Sequence, residues 1–213
     1  MPSYISADTL LSAYKRGIFP MADGANSEKI FWIKPDNRGI IPLGNLHISR
    51  STKKFIRKHK IVSTINSNFS EVLRNCRNRK ETWINAQLYQ SYLELNRLGY
   101  AISVEIWIKN RLIGGLLGVI IGACFFGESM FSLVPNGSKL ALICTMARLV
   151  YGQFSVFDTQ FLTDHLRSMG GCEVSHKFYL ELLAKGLERN GNFLDFPDYH
   201  SWDSMIQLSS QNR

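Results

Sequence analysis

The stretch ISVEIWIKNRLIGGLLGVIIGACFFGESM, residues 102–130, decides the fold. In its first seven residues Ile102, Val104, Ile106 and Ile108 take one side of an extended chain, and Ser103, Glu105 and Trp107 take the other. A period of two is what a strand imposes. Lys109 and Asn110 turn the chain, so 111–121 returns alongside and 123–130 makes a third pass. The three read as an antiparallel meander. The uncharged run 112–127 is 16 residues long with five glycines, short of the ~20 apolar residues that a membrane-spanning helix needs. Buried strands, with no membrane partner, are the expectation.

Outward from the meander, Leu88, Tyr92 and Leu95 mark one face of a helix over 85–98 that Gly99 closes. Further upstream, Ser49 or Ser51 caps a basic helix, a strand follows at 61–65, and a second helix spans 69–77. Ser6 opens a short helix to Tyr14 with Gly17 as its stop, and Pro35, Gly39 and Pro42 punctuate two extended pieces before Leu43. Downstream, Ser138 caps a helix over 139–151, a strand passes through Val156, Phe157 and Asp158, and helices cover 163–169 and 176–187. The remainder shows little periodicity. The whole is a mixed α/β (α+β) protein with a small N-terminal lobe over 1–46 and a larger one over 47–213.

Polar residues intrude on this framework at three places. Glu128 follows Phe125, Phe126 and Gly127, where a lone buried carboxylate is costly without partners. Strict alternation groups Phe126, Glu128 and Met130; Phe125, Ser129 and Phe131 join them only if Gly127 marks a bulge, and a bulge would open a pocket. Phe125, Met130 and Phe131 are residue types that fill cores more often than they cradle ligands, and the pattern leaves both readings open. Asp158 and Gln160, one residue apart on a strand, share a side. They suit the handling of an amine, or else they begin a loop and cap the next helix. Trp83, just past Arg77, Arg79 and Lys80, either stacks on a nucleobase or covers a helix end.

The net charge of +8 is uneven: residues 50–80 hold ten Lys or Arg against one acid, Glu71. Such a segment is an ordinary solvated face or the footprint of an anionic partner. The four cysteines and five histidines show no metal-ligand spacing, and there is no Gly-x-Ser-x-Gly motif, so neither metal nor covalent serine chemistry is indicated. No secretory leader is evident at Met1, and a cytosolic monomer is the expectation.

Nine segments together resemble the leucyl/phenylalanyl-tRNA–protein transferase family, in family order: LLSAYKRGIFPM, FWIKPDNRGIIPL, LHISRS, ETWI, SVEIW, IGGLLGV, FFGESMFS, GSKLAL and FDTQFLTDHLRSMGG. The resemblance implies a small N-terminal domain (1–46) and a GNAT-like acyltransferase domain (47–213) built on a largely antiparallel sheet flanked by helices. It implies transfer of Leu, Phe or Met from aminoacyl-tRNA to the α-amino group of a protein beginning with Arg or Lys, marking that protein for N-end rule degradation, with no cofactor. By the same resemblance Asp158 and Gln160 are the catalytic pair, Glu128 the motif glutamate, and Trp83 the adenosine contact. Phe125, Ser129 and Met130 belong to the substrate pocket, and Met21 stands where some members carry an aromatic ring. Lys53, Lys54, Arg57, Lys58, Arg77, Arg79 and Lys80 would hold the tRNA. Gln160 would accept a hydrogen bond from the attacking amine while Asp158 orients Gln160 or the amine. Either Glu128 or Asp158 would meet the acceptor's basic side chain.

Two rivals fit less of the chain. An acyl-CoA-dependent transferase needs an Arg/Gln-x-x-Gly-x-Gly/Ala loop, and the nearest match, RLIGGL at Arg111, ends in Leu116 and runs into a strand. An RNA-binding module would leave Glu128, Asp158 and Gln160 without a task.

Overall fold

Helix α1 (Ala7–Tyr14) opens on Ser6, whose Oγ accepts the Thr9 N–H; these are coordinates of a computed structural model that describes residues 4–79, 82–197 and 201–211. Strands β1 (Phe19–Ala22) and β2 (Ile30–Ile33) form a hairpin of their own, whereas β3 (Asn37–Ile40) joins the main sheet. Helix α2 (Arg50–Lys58) is capped by Ser49, whose Oγ accepts the Thr52 N–H. Next come β4 (Ile61–Ile65), α3 (Phe69–Arg77) and α4 (Ala86–Arg97). The meander follows as β5 (Ala101–Ile108), β6 (Arg111–Ile121) and β7 (Cys124–Ser132), antiparallel throughout.

Helix α5 (Gly137–Tyr151) leads to β8 (Val156–Gln160), α6 (Asp164–Ser168), β9 (Cys172–Ser175), α7 (His176–Leu187) and α8 (Trp202–Ser209). Among the described residues the main sheet has seven strands in the order β4-β5-β6-β7-β8-β3-β9, and only the β7–β8 join is parallel. One face buries α1, α3, α4 and α7 through residues such as Tyr14, Leu73, Tyr92 and Tyr179. The other buries α5, with α2, α6 and α8 packed around it. Ile102, Val104 and Ile106 point to the α5 side, as their alternation requires.

Three local expectations are corrected. Ser138 does not cap α5: the helix begins at Gly137, after Asn136 in a left-handed conformation, and the Ser138 N–H is taken by Ser132 Oγ at 2.7 Å. The reason is closeness, because a Cβ on Gly137 would lie 2.3 Å from the Ile113 carbonyl oxygen, so the helix can start against β6 only with glycine there. Residues 172–175, unassigned in the sequence, form edge strand β9 against β3. The C-terminal stretch also contains α8, fixed where Trp202 Nε1 donates to the Ile61 carbonyl (3.1 Å) and Ser209 Oγ to that of Ile143 (2.9 Å). No described helix is long and apolar enough to cross a membrane.

Candidate functional site

The parallel β7–β8 ladder ends at Phe126↔Asp158, yet β7 runs on to Ser132. A cavity of about 640 Å³ occupies the gap, lined by residues 127–133 on one side and by Thr159, Gln160 and Phe161 on the other. Leu116, Leu142, Phe157 and Leu166 make an apolar end on the α5 side; Arg79, Glu128 and Gln160 supply the polar groups, and Met21 and Trp83 pack with the opposite face of the sheet. Cavities of this size and mixed lining are where small ligands bind.

A bulge in β7 aims the acidic residue. Leu117 pairs with Ser129 but Gly118 with Gly127, leaving Glu128 as the extra residue. The bulge shifts the alternation: Phe126 and Phe131 pack on the α3–α4 side, and Phe125 and Met130 on the α5 side. Glu128 and Ser129 both turn toward α3 and α4, where Tyr92 donates to Glu128 Oε2 at 2.8 Å and Arg79 Nη2 to Ser129 Oγ at 2.8 Å. Behind them the Tyr14 hydroxyl lies 2.9 Å from that of Tyr92; since Tyr92 spends its proton on Glu128, Tyr14 is the donor. Burial pushes the Glu128 carboxyl up to about 7 against the opposing hydrogen bonds of Tyr92, Gln160 and Tyr14. The Gln160 contact is a loose one, for its Nε2 and Glu128 Oε1 both lack a hydrogen-bond partner.

Those two atoms belong to a larger set. Of seven buried side-chain polar atoms without a hydrogen-bond partner among the described residues, four belong to residues that line this cavity: Glu128 Oε1, Thr159 Oγ1, Gln160 Nε2 and His165 Nε2. Native proteins pair nearly all such atoms, so their concentration here singles this cavity out as the candidate site. Burial lowers the pKa of His165, with Lys139 adding to the effect, which favours the neutral ring.

Asp158 occupies a different environment. It does not line the cavity; it and Arg38 are fully buried and joined by two hydrogen bonds, Nε to Oδ1 (2.8 Å) and Nη2 to Oδ2 (2.6 Å). Tyr179 donates to Oδ2 at 2.7 Å, and the Gln160 backbone N–H donates to Oδ1 at 2.8 Å. Gln160 itself has φ +64°, unusual for a residue with a side chain.

The structure therefore brings Met21, Trp83, Glu128, Ser129, Met130 and Gln160 together, with Arg79 beside them. Phe125 is not part of the lining: it is buried beneath it, edge-on to Phe157 and stacked on Phe193, because the bulge leaves it in the α5 core. Phe157 supplies the aromatic wall instead. Trp83 packs edge-on against Tyr92, with ring centroids 6.0 Å apart. On α2, Thr52 and Ile56 face inward, which leaves Lys54, Arg57 and Lys58 exposed and Lys53 beside a shallow recess with His47 and Arg50. Thr52 Oγ1 donates to Asn136 Oδ1 (3.2 Å) at the start of α5, so this basic helix adjoins the cavity rim at Ser138. Arg77 lies over the Tyr89 ring, and Lys80 falls outside the described residues.

Sequence reasoning missed Arg38, Tyr14, Tyr92 and Tyr179, although RGIIPL and the helical position of Tyr92 were the available signals. Among the described residues no cluster of three His, Cys, Asp or Glu is arranged to hold a metal.

This combination defines a mixed α+β protein with a cavity lined by apolar residues together with a carboxylate and an amide. The family described as "Leucyl/phenylalanyl-tRNA protein transferase" matches residues 40–184, and its N-terminal domain matches residues 4–36. The chain belongs to the leucyl/phenylalanyl-tRNA–protein transferase family and is a transferase. Among curated relatives, the leucyl/phenylalanyl-tRNA--protein transferase of Maricaulis maris is 46% identical over 96% of this chain and 97% of its own length. That of Ruegeria sp. is 44% identical over 97% and 98%, and that of Zymomonas mobilis 42% over 98% and 78%.

Proposed function

We propose that the protein moves leucine, phenylalanine or methionine from the 3′ end of an aminoacyl-tRNA to the α-amino group of a protein that begins with Arg or Lys, marking it for N-end rule degradation in the cytoplasm. One observation carries this reading: the cavity between β7 and β8 joins an apolar end to a polar end where Glu128 and Gln160 have unpaired atoms. The aminoacyl ester is already activated, so catalysis consists mainly of holding an amine against a carbonyl carbon, which contributes up to ~7–11 kcal/mol.

In this reading the apolar end takes the amino-acid side chain, and Trp83 with Met21 takes the terminal adenosine. Gln160 accepts a hydrogen bond from the α-amine as it attacks the ester carbonyl carbon. The bond from that carbon to the ribose 3′-oxygen breaks, and the amine's proton passes by way of the neighbouring 2′-hydroxyl to the 3′-oxygen, which leaves as the free hydroxyl of the tRNA. Glu128 rather than Asp158 meets the acceptor's cationic group, because Asp158 is occupied by Arg38, Tyr179 and Gln160. The basic face of α2, with Arg77, Arg79 and Lys80, holds tRNA phosphates, an interaction that reads charge rather than base sequence. The protein works as a monomer, its first 46 residues forming a small N-terminal domain that lends strand β3 to the main sheet. The test is to incubate it with radiolabelled Leu-tRNA and two peptides that differ only in beginning with Arg or with Ala. Label should enter the Arg peptide alone; transfer to neither, or to both equally, would refute the proposal.

A further inference from the structure

We infer that Arg38 and Tyr179 are positioning residues for the transfer: through Asp158 they fix the backbone of Gln160, and thereby the direction from which its amide enters the cavity. The inference rests on the role proposed above for Gln160.

Asp158 does not line the cavity, and each hydrogen bond of its carboxylate is made to another residue of the chain. Oδ1 accepts from Arg38 Nε and the Gln160 N–H, and Oδ2 accepts from Arg38 Nη2 and the Tyr179 hydroxyl. Arg38 is itself held on three sides, donating through Nη1 to the Gly17 carbonyl at 3.0 Å and lying between the rings of Phe19 and Tyr179, each 4.6 Å away. Burial and the neighbouring carboxylate keep the Tyr179 hydroxyl protonated, hence a donor. A buried ion pair is a poor source of net stability, so so complete an arrangement calls for a further reason.

Gln160 supplies one. A left-handed φ on a residue with a side chain costs roughly 1–3 kcal/mol and persists only where the surroundings hold it. Two contacts do so: the bond from its N–H to Asp158, and strand β3, where Gly39 lies so near Phe161 and Leu162 that a Cβ would come within 2.9 Å of their backbone. The Gln160 Nε2 has no partner to orient it. Its aim therefore comes from the backbone.

The test combines hydrogen exchange at the Gln160 backbone amide, followed by NMR, with transfer kinetics from Leu-tRNA. The variants are Tyr179→Phe, Arg38→Lys, Gln160→Ala and the Tyr179→Phe/Gln160→Ala double. Loss of the Tyr179 donor should speed that exchange about tenfold and lower kcat about tenfold, with KM for Leu-tRNA nearly unchanged. Arg38→Lys, which keeps the charge but not the fork, should move both readouts the same way. In the Gln160→Ala background Tyr179→Phe should have almost no further effect on kcat, since it acts through the side chain already removed. Unaltered exchange in both single variants, or a kcat loss undiminished in the double, overturns the inference. Wild-type turnover by Gln160→Ala overturns instead the role of Gln160 in transfer, while quickened exchange in Tyr179→Phe would still support the hold on its backbone.

Discussion

Two buried carboxylates sit on neighbouring strands of one sheet and are treated in opposite ways. At the end of β8, Asp158 has four hydrogen bonds and an arginine partner. At the bulge of β7, Glu128 has one bonded oxygen and one without a partner, facing the cavity. The same chemical group is a structural anchor where it is saturated and, in the function proposed above, meets the ligand where it is left half-open. Burial alone does not separate the two roles; the count of satisfied lone pairs does.

The sharpest way to break this contrast is Arg38→Met. It strands the Asp158 charge in the interior and should cost about 3–5 kcal/mol in urea denaturation; a loss below about 1 kcal/mol would show that Asp158 is not anchored by this pair. Glu128→Gln should act in the opposite direction. The folded protein holds this carboxyl up to about 7 against an ordinary 4.5, so its native form prefers the proton. Its contribution is complete below pH 4.5 and is lost as pH rises to about 7, a penalty of roughly 3 kcal/mol on the ionised side. The variant should therefore exceed the wild type in stability by about that amount near pH 8 and converge with it as pH falls toward 4.5. Denaturation curves at several pH values decide the matter, and a difference independent of pH would remove the half-open carboxylate from the argument.

Smaller effects sharpen the ligand side. Gln160→Ala should lower turnover about 100-fold with KM for Leu-tRNA little changed; the reverse pattern would make Gln160 a binding group only. Met130→Ala enlarges the apolar end and should reduce discrimination between Leu-tRNA and Val-tRNA about tenfold in a competition assay. Unchanged selectivity would place the amino-acid side chain elsewhere. Reversing Lys53 and Lys54 to Glu should weaken tRNA binding by roughly 1 kcal/mol or less per site and flatten its dependence on salt. An unaltered slope would move the phosphate contacts off α2.

Much of this frame was legible because it is local. Alternation in 102–108 set strand β5 and its faces, Ser6 marked one helix start and Ser49 or Ser51 another, which the structure assigns to Ser49, and Gly127 left room for the bulge that forms at Glu128. Strand β9 and helix α8 were not legible: the first is four residues long, and the second is held by bonds to Ile61 and Ile143, far away in the chain. Asp158 looked like Glu128, a carboxylate among apolar residues, and nothing singled out Arg38, since arginine is seldom fully buried. Nothing near either residue in the chain announces that they meet, 120 positions apart.

Local patterning along the chain was thus enough to specify the meander, most of the helices, the basic helix and the residue types that could do chemistry. Folding alone decided which carboxylate is saturated, which aromatic ring reaches the cavity, and where β3 enters the sheet. Periodicity and capping act over a few residues, whereas hydrogen-bond saturation depends on partners that only the assembled sheet and its helices bring within 3 Å.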